Sequence, residues 1–68
     1  MKNIIGKTIK EKRLEKGWSQ EQLGKIIGVS HASISFWENG VNIPNVLDCW
    51  KLAEALKISI DELIGRVV

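Results

Sequence analysis

Hydrophobic residues recur every three or four positions along most of the chain, which is the spacing of amphipathic helices rather than of strands. Glycines and capping residues interrupt this pattern at short intervals. Together they predict five helices, at residues 4–16, 20–27, 31–39, 46–56 and 60–65. We therefore expect an all-α fold, a compact five-helix bundle that forms a single domain over residues 1–68.

Two glycine–hydrophobic–serine triplets, at residues 17–19 and 28–30, mark boundaries between the predicted helices. In each triplet the glycine is suited to leave one helix in the left-handed conformation, and the serine is suited to cap the next helix. The hydrophobic residue between them is expected to pack against the new helix as a staple. The predicted staple pairs are Trp18–Leu23, Val29–Ile34 and, at a third boundary, Ile58–Leu63.

Side chains that begin the helices complete the capping pattern. Serines and an asparagine stand at four of the predicted N-cap positions, namely Ser19, Ser30, Asn45 and Ser59. Two of the serines are followed three residues later by Gln22 or Glu62, which predicts a capping box at each of these two starts.

The inward faces of the predicted helices indicate the hydrophobic core. Helical spacing selects one stripe of mostly apolar residues from each helix. These residues are Ile5, Ile9, Leu23, Ile26, Ile27, Ile34, Trp37, Val46, Cys49, Leu52, Ala53, Leu56 and Leu63.

The overall composition excludes several classes of protein. One cysteine, Cys49, allows no internal disulfide, and the N-terminus lacks the apolar run of a signal peptide, so we expect a cytoplasmic protein with no membrane partner. One histidine and one cysteine are too few for the usual zinc sites. Neither a P-loop nor a dinucleotide fingerprint occurs. We expect no enzymatic activity, no metal, no cofactor and no small-molecule ligand.

The second and third predicted helices are joined by only three residues, 28–30, which is the spacing of a helix–turn–helix, although plain helical bundles also contain such links. The motifs KGWSQEQLG, GVSHASIS, WENG, LAEAL and SIDELIG occur in order. In these motifs, from about residue 5 to 65, the chain resembles the Cro/repressor (XRE-like) helix–turn–helix family, which includes the DNA-binding domains of lambdoid phage repressors. The resemblance implies a transcriptional regulator, a repressor that binds double-stranded DNA as a homodimer on a palindromic operator. It also implies that helix 31–39 enters the major groove.

The outward side of helix 31–39 carries no lysine or arginine. Bases are neutral, so hydrogen-bonding and apolar groups are sufficient to contact their edges. The resemblance implies base contacts by His31, Ala32, Ser35 and Phe36, and we expect Ala32 and Phe36 to meet thymine methyl groups. Phe36 has an alternative interpretation, as an exposed aromatic at an interface or ligand site.

Phosphate contacts are expected from polar side chains that flank this helix and from the start of the preceding helix. The resemblance places residues matching Gln20 and Asn39 near the DNA backbone. The full predicted set is Ser19, Gln20, Ser33, Asn39, Asn42, Lys10 and Lys25. Either lysine is equally explained as a solvated charge on a helix face.

Glu38 is predicted on the inward side of helix 31–39, at the negative end of its dipole, where a carboxylate needs a cation. The resemblance pairs this position with an arginine of the first helix, and Arg13 stands at the matching place. We therefore predict a structural ion pair between Arg13 and Glu38. The alternative is two unrelated surface charges.

The C-terminal half carries more apolar residues than one small core requires. These residues predict a dimer interface of Leu47, Trp50, Ile60, Ile64, Val67 and Val68. Some of them alternatively complete the core of the monomer. A rival hypothesis for the whole chain is a protein-interaction module of the antitoxin or anti-repressor type, with Phe36 and Trp50 as its anchors.

Overall fold

Five helices follow one another along residues 3–65, the part of the chain that the computed structural model describes. They are α1 (Ile4–Glu15), α2 (Gln20–Ile27), α3 (His31–Glu38), α4 (Val46–Leu56) and α5 (Ile60–Ile64). No strand occurs within residues 3–65, and every helix begins at the predicted residue and ends within one residue of the predicted end. The predicted all-α fold is confirmed.

The hydrophobic core receives one fully buried side chain from each helix. These five side chains are Ile9, Leu23, Ile34, Leu52 and Leu63. The three predicted staple residues, Trp18, Val29 and Ile58, pack at the edge of this core and are half-buried. Each helix is therefore held by the same small interior, which fixes α3 relative to all the others.

The predicted helix caps are present at all four positions. The Ser19 hydroxyl accepts the Gln22 N–H at 3.0 Å, and the Gln22 side-chain oxygen accepts the Ser19 N–H at 2.7 Å, which completes one capping box. The second predicted box is wrong in one half. Ser59 accepts the Glu62 N–H, but the Glu62 carboxylate pairs with Lys12 of α1 at 3.2 Å instead of reaching back. An oppositely charged neighbour attracts a carboxylate more strongly than a neutral amide does.

Four residues that were predicted in the core are less buried than expected. Val46 is 87% exposed and Ile26 is 51% exposed, whereas Ile5 and Cys49 are half-buried. Val46 opens α4 and lies beyond the packed interior. On α2 the buried Leu23 and Ile27 stand four residues apart, so the inward stripe passes through them and leaves Ile26 at its side.

The N-terminus of α1 is attached to the C-terminus of α3. Asn3 caps α1 by accepting the Gly6 N–H at 3.1 Å, and its side-chain amide donates to the Glu38 carbonyl at 2.9 Å. Gly6 lies so close to the Trp37 carbonyl that a Cβ atom at this position would collide with it. Asn3 and Gly6 therefore hold the end of α3 in place, a role that helical spacing alone did not reveal.

Candidate nucleic-acid interface

Helix α3 separates its residues into an inner and an outer face. Ile34, Trp37 and Glu38 are buried, whereas His31 and Phe36 are exposed and Ala32 and Ser35 are half-buried. The four residues predicted to contact bases thus lie on the accessible side of the helix, and Phe36 has 45% of its surface exposed. We refer to His31, Ala32, Ser35 and Phe36 as the outer face of α3.

The outer face of α3 carries no lysine, arginine, aspartate or glutamate. It offers one imidazole, one hydroxyl, one aromatic ring and one methyl group. These groups donate and accept hydrogen bonds and make apolar contacts, which are the interactions that distinguish base pairs in the major groove. Because the face has no lysine or arginine, we expect attraction to a polyanion to come chiefly from neighbouring elements.

The residues predicted to contact phosphate come from three helices and from the segment after α3. Ser19 and Gln20 begin α2, and Asn39 and Asn42 follow α3. The Asn39 amide donates to the Ser35 hydroxyl at 3.3 Å, which connects the end of α3 to its outer face. One serine and two lysines complete the predicted set. Ser33 is half-buried, and its hydroxyl lies 3.2 Å from that of Ser30. Lys10 and Lys25 are exposed.

The predicted ion pair between Arg13 and Glu38 is present beneath this surface. Arg13 donates from Nε to Glu38 Oε2 at 2.7 Å and from Nη2 to Oε1 at 3.0 Å, so the pair is bidentate. Both residues are buried, which rules out the alternative of two unrelated surface charges. The hydrogen bond to Glu38 raises the pKa of the Arg13 guanidinium, against the opposing effect of burial, and the cation persists at any ordinary pH.

The ion pair also connects three separate parts of the chain. Arg13 Nη1 donates to the Trp18 carbonyl at 2.7 Å in the link between α1 and α2. Gln20 Nε2, at the start of α2, donates to Glu38 Oε1 at 3.1 Å. The second contact was not predicted, because the sequence indicates which residues begin α2 but not the direction of a glutamine side chain. Within residues 3–65 no buried side-chain nitrogen or oxygen lacks a hydrogen-bond partner.

A second accessible surface lies on α4 and α5. Four of the six residues predicted at the dimer interface come together there and line an apolar groove of about 680 Å³: Leu47, Trp50, Ile60 and Ile64. Pro44, Val46 and Cys49 complete the lining. Val67 and Val68 lie outside the described residues. We call this surface the apolar groove.

Cys49 contributes to the apolar groove as a neutral side chain. Burial, and to a smaller extent the charge of Asp48, raises the pKa of its thiol. Its sulfur lies 3.6 Å from the Pro44 carbonyl. A thiol with a raised pKa is protonated at neutral pH and is a poor nucleophile, so Cys49 behaves here as a small hydrophobic residue.

A family model described as helix-turn-helix matches residues 9–63, from the middle of α1 to α5. The chain belongs to the helix-turn-helix family. In this helix-turn-helix chain, α2 and α3 are the paired helices and residues 28–30 form the turn. Gly24 makes this turn tight, since a Cβ atom at this position would lie 2.6 Å from the Val29 carbonyl oxygen.

Named relatives of this helix-turn-helix chain include phage repressors. It is 44% identical over 48 residues to the cryptic phage CTXphi transcriptional repressor RstR of Vibrio cholerae, a match that covers 71% of this chain and 43% of that protein. It is 36% identical over 61 residues to repressor protein C2 of Salmonella phage P22, covering 90% of this chain and 28% of that protein. The chain thus spans less than half the length of either relative.

A solved structure shares both the fold and part of the sequence. The P22 c2 repressor protein in complex with a synthetic operator superposes with a TM-score of 0.85 and 37% identity, over 88% of this chain and 91% of that chain.

Within the described residues 3–65, no helix has the length and apolar character needed to cross a membrane, and no group of three or more His, Cys, Asp or Glu side chains is arranged to hold a metal.

The buried pair generates a stability prediction. Arg13→Met is expected to lower the free energy of unfolding by about 3–5 kcal/mol, because Glu38 then stays buried without its cation. Lys12→Met is the matched control, since Lys12 is the adjacent residue of α1 and its ammonium pairs with Glu62 at the surface; its effect should be much smaller. Urea denaturation followed by tryptophan fluorescence measures both. Equal losses from the two substitutions would contradict the structural role of the pair.

Proposed function

We propose that this chain is a transcriptional regulator, a repressor that binds double-stranded DNA sequence-specifically, as a homodimer on a palindromic operator with helix 31–39 in the major groove. The observation that carries the proposal is the exposed outer face of α3, held by a buried core within a helix-turn-helix fold. The similarity to a repressor solved with a synthetic operator supports it. In this account α3 enters the major groove and its outer face contacts base edges.

Base recognition on this surface relies on shape and on single hydrogen bonds. Ala32 and Phe36 offer apolar contact to thymine methyl groups, and His31 and Ser35 offer donor and acceptor groups. No arginine or lysine of α3 is available for the bidentate contact to guanine that many DNA-binding helices use. We therefore expect an operator whose contacted positions are rich in A·T pairs.

Affinity in this account comes chiefly from contacts to the phosphates. The N-terminus of α2 presents backbone N–H groups beside Ser19 and Gln20, and Asn39 flanks α3 on the other side. Lys10 and Lys25 add positive charge. Each phosphate that is neutralised by a cationic side chain contributes about −0.9 to the slope of log K against log salt concentration. Since only two lysines are predicted to contact phosphate, we expect the affinity to depend only weakly on salt.

The DNA-binding proposal is tested by fluorescence anisotropy with duplexes from the region upstream of the gene, in the presence of non-specific competitor DNA. The wild-type chain should retain specific binding, and Phe36→Ala should weaken it about tenfold through loss of a base contact. Leu14→Ala is the control, because Leu14 is an exposed apolar residue of α1 and is not among the residues predicted to contact DNA. A Phe36→Ala protein with unchanged affinity and unchanged base preference would remove Phe36 from the interface.

Homodimer formation is supported by the apolar groove. Leu47 is 56% exposed and Trp50 is 54% exposed, although both are large and apolar. Exposed apolar surface of this kind marks interaction sites in soluble proteins. A two-fold axis at the groove would cover both residues and allow two copies of α3 to meet major grooves about 34 Å apart.

The dimer is tested by sedimentation equilibrium. Trp50→Glu should shift the population to monomer and weaken operator binding, because a carboxylate in the covered interface has no partner. Leu14→Glu is the control, since Leu14 is 57% exposed on α1 and does not line the groove. A Trp50→Glu protein that dimerises as strongly as the wild type would show that the interface lies elsewhere.

The second candidate function is a protein-interaction module of the antitoxin or anti-repressor type. It is favoured by two exposed aromatic side chains, Phe36 on α3 and Trp50 on α4. In that case the outer face of α3 would contact protein instead of bases. The same anisotropy experiment separates the two candidates, because an interaction module would show no specific binding that survives competitor DNA.

A further inference from the structure

The first turn of α2 contains two glutamine side chains with opposite orientations. Gln20 turns its amide nitrogen inward and donates from Nε2 to Glu38 Oε1 at 3.1 Å. Gln22 is exposed, and its amide oxygen reaches back along the chain to accept the Ser19 N–H at 2.7 Å. These are the only two glutamines in the sequence. Gln22 can therefore serve as the control for substitutions and measurements at Gln20.

The orientation of Gln20 follows from the charge of its partner. Arg13 donates to both carboxylate oxygens of Glu38, and a carboxylate accepts hydrogen bonds but cannot donate one. A reversed Gln20 amide would place its carbonyl oxygen against a carboxylate oxygen. The nitrogen must therefore face Glu38, and a buried pair sets the direction of a side chain that is itself half-buried at the surface.

Gln20 Nε2 carries two hydrogens, and Glu38 accepts only one of them. The second N–H remains available at the start of α2, where backbone N–H groups also favour an anion. A side chain that is already held loses less conformational entropy when it binds than a free one does. The hydrogen bond to Glu38 thus prepares Gln20 for an acceptor such as a phosphate oxygen.

We propose that Glu38 is a positioning residue for DNA binding, and that it acts through Gln20 by holding the second Nε2 hydrogen toward a backbone phosphate. This inference rests on the proposed DNA-binding function. It gives the interior ion pair a second role, distinct from stability. A purely structural Glu38 would affect unfolding but would not change affinity through Gln20.

A double-mutant cycle tests this coupling with the full chain. The affinity for one duplex is measured for the wild type, Glu38→Gln, Gln20→Met and the double variant, at a temperature at which circular dichroism shows all four to be folded. Gln20→Met should weaken binding about tenfold without changing the salt slope, because a neutral donor is lost and no cation is removed. Glu38→Gln should weaken binding several-fold when Gln20 is present and have no effect when residue 20 is methionine. Equal effects in both backgrounds, or no effect in either, would overturn the proposal.

If the Glu38→Gln protein does not fold, the same coupling can be measured in a variant that lacks both charges of the ion pair. Replacing both charges, as Arg13→Met with Glu38→Met, removes the acceptor without leaving a buried charge unpaired. The same cycle with Gln20→Met is then measured in that background. Gln22→Met is the matched control and should leave affinity unchanged, because Gln22 uses its oxygen to cap α2 and does not contact Glu38.

The side-chain amide resonances of the free protein supply a readout that does not involve DNA. The Gln20 NH₂ group should exchange with water more slowly than the Gln22 NH₂ group, and Glu38→Gln should remove that difference. Equal exchange rates in the wild type would overturn the positioning role. A wild-type chain that binds no duplex would overturn the proposed function, whereas specific binding with an additive cycle would overturn only this inference.

Discussion

The burial of one carboxylate, Glu38, constrains the arrangement of the first three helices. It lies at the end of α3, where the helix dipole disfavours a negative charge, and it is stable there because Arg13 and Gln20 donate to it. Arg13 reaches it from α1 and also holds the Trp18 carbonyl in the link to α2. Because each donor comes from a different part of the chain, the carboxylate can be satisfied only when α1, α2 and α3 are correctly placed.

The two accessible surfaces have different chemistry, and this difference underlies the proposed function. The outer face of α3 combines polar groups with one exposed aromatic, which suits contact with base edges. The apolar groove on α4 and α5 exposes large hydrophobic side chains with few polar groups, which suits a second protein surface. Cationic side chains are largely absent from both, so phosphate contacts depend on helix N-termini and amides at the border of α3.

Much of the fold is readable from the sequence because capping is local. Ser19, Ser30, Asn45 and Ser59 each bond a backbone N–H three residues ahead, and such short-range geometry leaves a direct pattern in the chain. Contacts between distant segments leave a weaker pattern. The bond from Asn3 to the Glu38 carbonyl joins residues 35 positions apart, and Glu62 turns to Lys12 of another helix. The exposure of Ile26 and Val46 likewise depends on which neighbours pack against them.

For the candidate site, helical spacing identified the accessible side of α3, and the resemblance supplied the pairing of Arg13 with Glu38. Neither indicated the orientation of the Gln20 side chain.

We propose that the outer face of α3, held from within by Glu38, contacts double-stranded DNA. The most direct measurement is an NMR titration of the ¹⁵N-labelled chain with a duplex from its own upstream region. We expect the amide resonances of residues 19–20 and 31–36 to shift together and saturate, with smaller changes for an unrelated duplex. Changes confined to the α4–α5 groove, with the resonances of α3 unmoved at saturation, would contradict it.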